Sequence, residues 1–151
     1  MSNFDLQIQY PNHADDRDLE RYENIEITIL ETKFDSISWR KQRVLQLQFD
    51  GKNTVFKVTN RDSNEYLIVS LNAFSKSEDF EFKVESNVQL VFLQRELFGL
   101  MTRKNKEIFN LKYATLEQAK ESLSSFISQD YRALEHIFIR SKNVAVKEVS
   151  E

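Results

Sequence analysis

IFNLKYATLEQAKESLSSFI, residues 108–127, contains the change of rhythm on which the fold turns. Ile108, Phe109, Leu111 and Tyr113 read as a strand or extended segment. From Thr115 the spacing becomes helical, and Leu116, Ala119, Leu123, Phe126 and Ile127 share one face. Thr115 and Gln118 stand three residues apart, as a capping box requires. The hydroxyl of the first accepts from the amide of the second, and the side-chain carbonyl of the second accepts from the amide of the first. A second helical pattern runs from Tyr131 through Leu134, Ile137 and Phe138, with Ser128 or Asp130 as its cap. The tail from Ser141 is polar apart from Val144, Val146 and Val149, and is expected to fray or to add an edge strand.

Upstream of this switch the chain reads as β-structure. Phe4, Leu6, Ile8 and Tyr10 alternate with Asp5, Gln7 and Gln9 until Pro11 stops the pattern. The charged stretch Ala14–Asn24 reads as a loop or short surface helix. Ile25, Ile27 and Ile29 alternate against Glu26, Thr28 and Glu31 as a second strand. Val44, Leu45, Leu47 and Phe49 lead into Asp50-Gly51, and Val55, Phe56 and Val58 follow. An Asp-Gly pair between two β-rich runs is a hairpin signal, because both central turn positions favour positive φ. Tyr66–Leu71, Phe80–Val84 and Val88–Leu93 complete the series, the last two joined through Glu85-Ser86-Asn87. The short connections favour antiparallel pairing. The expected fold is therefore α+β: an antiparallel meander of roughly six to eight strands followed by two C-terminal helices packed on it. One domain over residues 1–151 is expected, β-rich at 1–113, helical at 115–140 and ending in a polar tail at 141–151.

Composition narrows the chemistry. The chain has two glycines, one proline, two histidines and no cysteine in 151 residues. Gly51 and Gly99 are too far apart for a phosphate-cradling loop, and without cysteine there is neither a disulfide framework nor a thiolate site. No cofactor and no metal are expected. His13 near Asp15, Asp16 and Asp18 has the residue types of a metal cluster, yet it reads more simply as a solvated acidic loop. His136, with Arg132 and Arg140 four residues to either side, reads as a helix-surface residue, and a His13–His136 acid–base pair is the catalytic alternative.

Charge is the stronger signal. Between Ala14 and Asp35 eight acids (Asp15, Asp16, Asp18, Glu20, Glu23, Glu26, Glu31, Asp35) face three bases (Arg17, Arg21, Lys33). Between Arg40 and Arg61 six bases face only Asp50. Complementary charge of this kind raises association rates and selects partners. Asp15, Asp16, Asp18, Glu20 and Glu23 are the candidate docking patch for a protein with a basic surface. Trp39, Arg40 and Phe98 are secondary surface candidates. Trp39 reads more simply as a core residue at a strand start, and Leu97–Met101 as a turn that closes the core beneath the helices. The net charge of −3 argues against duplex DNA as a partner. No apolar run approaches a membrane span, and Met1–Asp5 lacks the features of a signal peptide, so a cytoplasmic protein is expected. An exposed edge strand would allow a homodimer. The functional expectation is a non-enzymatic protein-binding module of the bacterial immunity or antitoxin kind, which neutralises its partner by occlusion. The alternatives are a small-ligand-binding curved sheet or barrel, and a metal-independent hydrolase or nuclease.

Overall fold

The computed structural model describes residues 3–11, 19–48, 53–72, 79–96 and 101–150. Its elements, in chain order, are β1 (Phe4–Gln9), β2 (Glu20–Ile25), α1 (Ile27–Ser36), α2 (Trp39–Gln48), β3 (Val55–Asn60) and β4 (Tyr66–Asn72), then β5 (Glu81–Glu96), β6 (Met101–Ala114), α3 (Leu116–Ile127) and α4 (Tyr131–Ser150). The strands form one antiparallel sheet in the order β2-β1-β3-β4-β5-β6. From β3 to β6 it is a meander. At the other end β1 lies between β2 and β3, which are joined by the α1–α2 pair.

Alternation decides which side of the sheet is covered. Leu6 pairs across to Val58, Val58 to Leu67, Val69 to Val84 and Val84 to Leu111, and all of these are buried on one face. Each helix places an aromatic ring against that face. Phe34 of α1 lies 5.2 Å from Phe56, and Trp39 of α2 lies 4.9 Å from Phe82. Phe126 of α3 lies 6.0 Å from Phe4, and Phe138 of α4 lies 6.0 Å from Phe109. Edge-to-face contacts such as Phe34–Phe56 and Trp39–Phe82 stabilise beyond area burial alone. The result is two layers: four helices on one face, and an opposite face that carries Gln7, Lys57, Ile68 and Glu85 across successive strands.

The expected C-terminal helices are present, with the capping box in both directions. The Gln118 amide donates to Thr115 Oγ1 at 3.1 Å, and the Thr115 amide donates to Gln118 Oε1 at 3.0 Å. Asp130 caps α4 by accepting from the Ala133 amide at 3.1 Å. The polar tail neither frays nor forms a strand: α4 continues through Ser150.

Two expected strands are helices instead. At Asn24 the backbone turns to φ 51°, and its amide donates to Asp5 Oδ1 at 2.9 Å, which ends β2 before Ile27. Leu30 and Phe34, four residues apart, then define the buried side of α1. The isoleucine alternation was a coincidence of period 2 laid over a helix boundary.

The second case is more instructive. Residues 39–48 are helical, and the buried positions are Trp39, Gln42 and Gln46. Val44 and Leu47, read as strand core, are 50% and 56% exposed. The glutamines are inside because they complete backbone bonding at a strand end. Gln46 accepts from the Thr54 amide at 2.6 Å and donates to the Leu71 carbonyl at 3.0 Å, while Thr54 Oγ1 donates to Gln42 Oε1 at 3.2 Å. A helix at 39–48 leaves no strand to precede the Asp50-Gly51 hairpin, and β3 pairs with β1 and β4. Asp50 and Gly51 themselves lie outside the described residues.

Glu85-Ser86-Asn87 is no turn either. It is an irregularity within the continuous strand β5. Ser86 Oγ donates to the Tyr66 carbonyl at 2.6 Å and accepts from the Val88 amide at 3.0 Å. Asn87 Oδ1 accepts from the Tyr66 amide at 2.8 Å. These side chains take over ladder bonds where the strand bulges.

Gln46 therefore joins α2 to β4 and to Thr54, the residue just before β3. Replacing it with alanine leaves a buried amide and a buried carbonyl without partners, which is expected to cost about 1–3 kcal/mol in urea-unfolding experiments. A second prediction concerns Tyr131, whose hydroxyl donates to Glu65 at 2.5 Å and ties α4 to the β3–β4 turn. Burial, then that bond, then the Glu65 charge push the phenol up to about 12 from its usual 10.0. The folded state thus holds the proton more tightly than the unfolded chain. The stability this contributes is complete below pH 10 and is lost as pH rises through about 12. Chemical denaturation across that window should show the fall in the wild type and a shallower one in Tyr131→Phe.

Candidate functional site

The described part of the acidic segment forms one edge of the molecule. Glu20 and Glu23 lie on β2, the outermost strand at that end of the sheet, and α1 follows directly. Glu20 is half-buried and accepts from the Tyr22 hydroxyl at 3.1 Å. Burial, followed by the charge of Glu20, raises the pKa of the neighbouring Tyr10 phenol. Lys33 sits 4.2 Å above the Tyr22 ring, so this part of the edge is packed and partly neutralised. Glu23 and Glu26, in contrast, are exposed. Beside them Ile29 is 46% exposed on the outer side of α1. Asp35 is taken up by Lys120 of α3 at 2.8 Å. Asp15, Asp16, Asp18 and His13 lie outside the described residues, so the expected patch is represented here by Glu20 and Glu23.

The secondary candidates separate. Trp39 is not a surface residue: it is 5% exposed, with its ring 5.5 Å from Phe34 and 4.9 Å from Phe82. The adjacent position on the helix faces outward. Arg40 is exposed and, with Arg43, Val44, Asp79, Phe80 and Leu116, lines an open cleft of about 610 Å³ between α2 and the start of α3. The two arginines share that cleft with Asp79 and Glu117, so it carries no excess of either sign. Phe98 lies outside the described residues, as do Leu97, Gly99 and Leu100, while Met101 opens β6.

His136 is exposed on α4 and lines a groove of about 710 Å³ between α3 and α4. Arg140 Nε donates to its backbone carbonyl at 3.4 Å, and the guanidinium stands 3.8 Å from Glu121. With His13 outside the described residues, the two-histidine pair has no geometry here. Among the described residues no three His, Cys, Asp or Glu side chains gather as a metal site. Among them, too, no helix is long and apolar enough to cross a membrane.

Several exposed apolar residues were invisible to periodicity. Val44 and Leu47 become legible as surface only once Gln42 and Gln46 are recognised as the buried side of α2. Tyr113 is 76% exposed because β6 bulges: Leu111 pairs with Val84 and Ala114 with Phe82, so three steps on one strand match two on the other. Nothing in the local sequence announces that irregularity. Compared with known proteins, the chain matches no family model, no curated protein and no solved structure.

The placement of Trp39 and Arg40 gives a direct test of inside against outside. Trp39→Ala is expected to cost about 3–5 kcal/mol, as for other large-to-small core changes. Arg40→Ala should stay within about 0.5 kcal/mol, as surface substitutions usually do. Equilibrium unfolding of both variants measures the difference.

Proposed function

We propose that this chain is a non-catalytic protein-binding module that acts in the cytoplasm by covering a partner with a basic surface, as a bacterial immunity protein or antitoxin does. The observation that carries this reading is the β2–α1 edge, where exposed Glu23 on β2 and Glu26 at the start of α1 are followed one turn later by half-exposed Ile29. An apolar anchor rimmed by charge is how interfaces combine affinity with specificity. The charges steer encounter, and the anchor supplies the buried area. Glu20 is engaged locally instead, accepting from the Tyr22 hydroxyl two residues along the same strand. The analogy to immunity proteins is one of class and rests on this surface alone.

A small-ligand site within a curved sheet or barrel has less support. The sheet ends in two edges, β2 and β6, and its apolar face is occupied by Phe34, Trp39, Phe126 and Phe138.

Capture of partners from the native lysate, followed by kinetics with the purified partner, tests the reading. The retained protein should present a basic surface. The double substitution Glu23→Lys with Glu26→Lys should slow association about tenfold at low salt, with the difference closing as salt rises. Ile29→Ala should act mainly on dissociation. Retention of an acidic partner, or rates indifferent to both changes, would overturn it.

A further inference from the structure

We infer that the free edge of β6 is a second docking surface, which takes an acidic, extended segment of a partner protein as a seventh strand of the sheet. The inference goes beyond the β2–α1 edge and stands at the opposite end of the sheet. β6 is outermost in the strand order and, among the described residues, pairs only with β5, over a strand of 14 residues. Its outer row of amides and carbonyls is thus available for strand addition. β2, the other edge, is poorly suited to the same role. It has only six residues, and the positive φ at Asn24 turns its end away from the strand path.

The chemistry of β6 selects the occupant. The strand contains Arg103, Lys104, Lys106 and Lys112 against Glu107, in a chain whose net charge is −3. Where side chains are described, Lys106, Ile108, Asn110, Lys112 and Tyr113 are exposed, while Phe109 and Leu111 are buried beneath the helices. The bulge between Leu111 and Ala114 brings Lys112 and Tyr113 out together beside Asn110, Lys83 and Glu85, around a hollow of about 380 Å³. Lys83 is matched internally by Glu85 at 2.8 Å. Among the described residues no acid pairs with Lys106 or Lys112.

A neutral or basic strand on this edge would leave these cations unmatched or repelled. Lysines on an edge strand ordinarily discourage pairing for that reason. A second copy of β6 would set lysines beside lysines, which is destabilising across strands. An acidic strand reverses the sign of the same interaction. Lys106 and Lys112 are six residues apart, roughly 20 Å along a strand, so the partner's carboxylates fall about six positions apart. Half-exposed Ile108 offers apolar contact between them, and the Tyr113 ring offers more just beyond Lys112. Single-stranded nucleic acid is a poorer match, since it does not satisfy a row of alternating backbone donors and acceptors.

Selection of a random-peptide display library on the immobilised full chain tests the inference. The enriched peptides should be net negative and should carry an apolar residue between their acids. Their affinity should fall about tenfold or more in the Lys106→Glu, Lys112→Glu double variant. Tyr113→Ala should weaken them as well, whereas Glu23→Lys with Glu26→Lys should leave them unaffected, which separates this surface from the β2–α1 edge. Thermal unfolding of each variant checks that these exposed changes leave the fold intact. Enrichment of basic or uncharged peptides, no enrichment, or affinity indifferent to the lysine reversals overturns the inference. So does displacement of the peptides by oligothymidylate. Concentration-dependent dimerisation that the lysine reversals abolish would assign the edge to a second copy and overturn it equally.

Discussion

Everything in this molecule depends on a sheet that is apolar on one face only. The pairs Leu6–Val58, Val58–Leu67, Val69–Val84 and Val84–Leu111 align their side chains on that face, and period-2 geometry sends every neighbour to the other. Four helices of different amphipathicity therefore have a single place to go. Each meets the sheet through one ring: Phe34, Trp39, Phe126 or Phe138. A one-residue slip of any strand would turn its apolar set toward water, so the helical layer and the strand register enforce one another.

This one-sidedness also shapes what the surface can do. With the helices gathered on one face, the two sheet edges and the opposite face remain for recognition. The edges differ in sign and in length. β2 is short and followed by the acids of α1, whereas β6 is long and rich in lysine. A short β2 edge with exposed acids suits side-chain docking, and a long β6 edge suits main-chain pairing. Opposite edges with opposite chemistry fit a protein whose work is contact.

The α2 segment shows how a polar residue can be structural. Gln42 and Gln46 are buried while Val44 and Leu47 are exposed, because Thr54 and Leu71 need hydrogen-bond partners more than the core needs two further apolar side chains. The same logic governs β5, where Ser86 and Asn87 replace missing ladder bonds. In both places hydropathy misdirects, since the buried polar atoms answer to backbone groups far away in sequence. Of the docking candidates, Glu23 was legible as an exposed acid from charge density alone. Trp39 is a surface candidate from sequence although the core is its simpler reading, and the rings of Phe34 and Phe82 place it in the core.

The sequence by itself determined the features whose cause is local. These are the alternation of β1, the apolar run of β4, the Thr115–Gln118 capping box, the amphipathic α3, the α+β class and the division of charge between neighbouring segments. Only the tertiary structure decided those whose cause is distant. α1 and α2 are helices because Leu30, Phe34, Trp39, Gln42 and Gln46 find partners on the sheet, and that selection overrides the β-branched residues that suggested strands. Likewise, Tyr113 reaches solvent because the pairing of β5 with β6 inserts a bulge beside it. Local spacing is written in a few adjacent residues, whereas a partner across the fold is not.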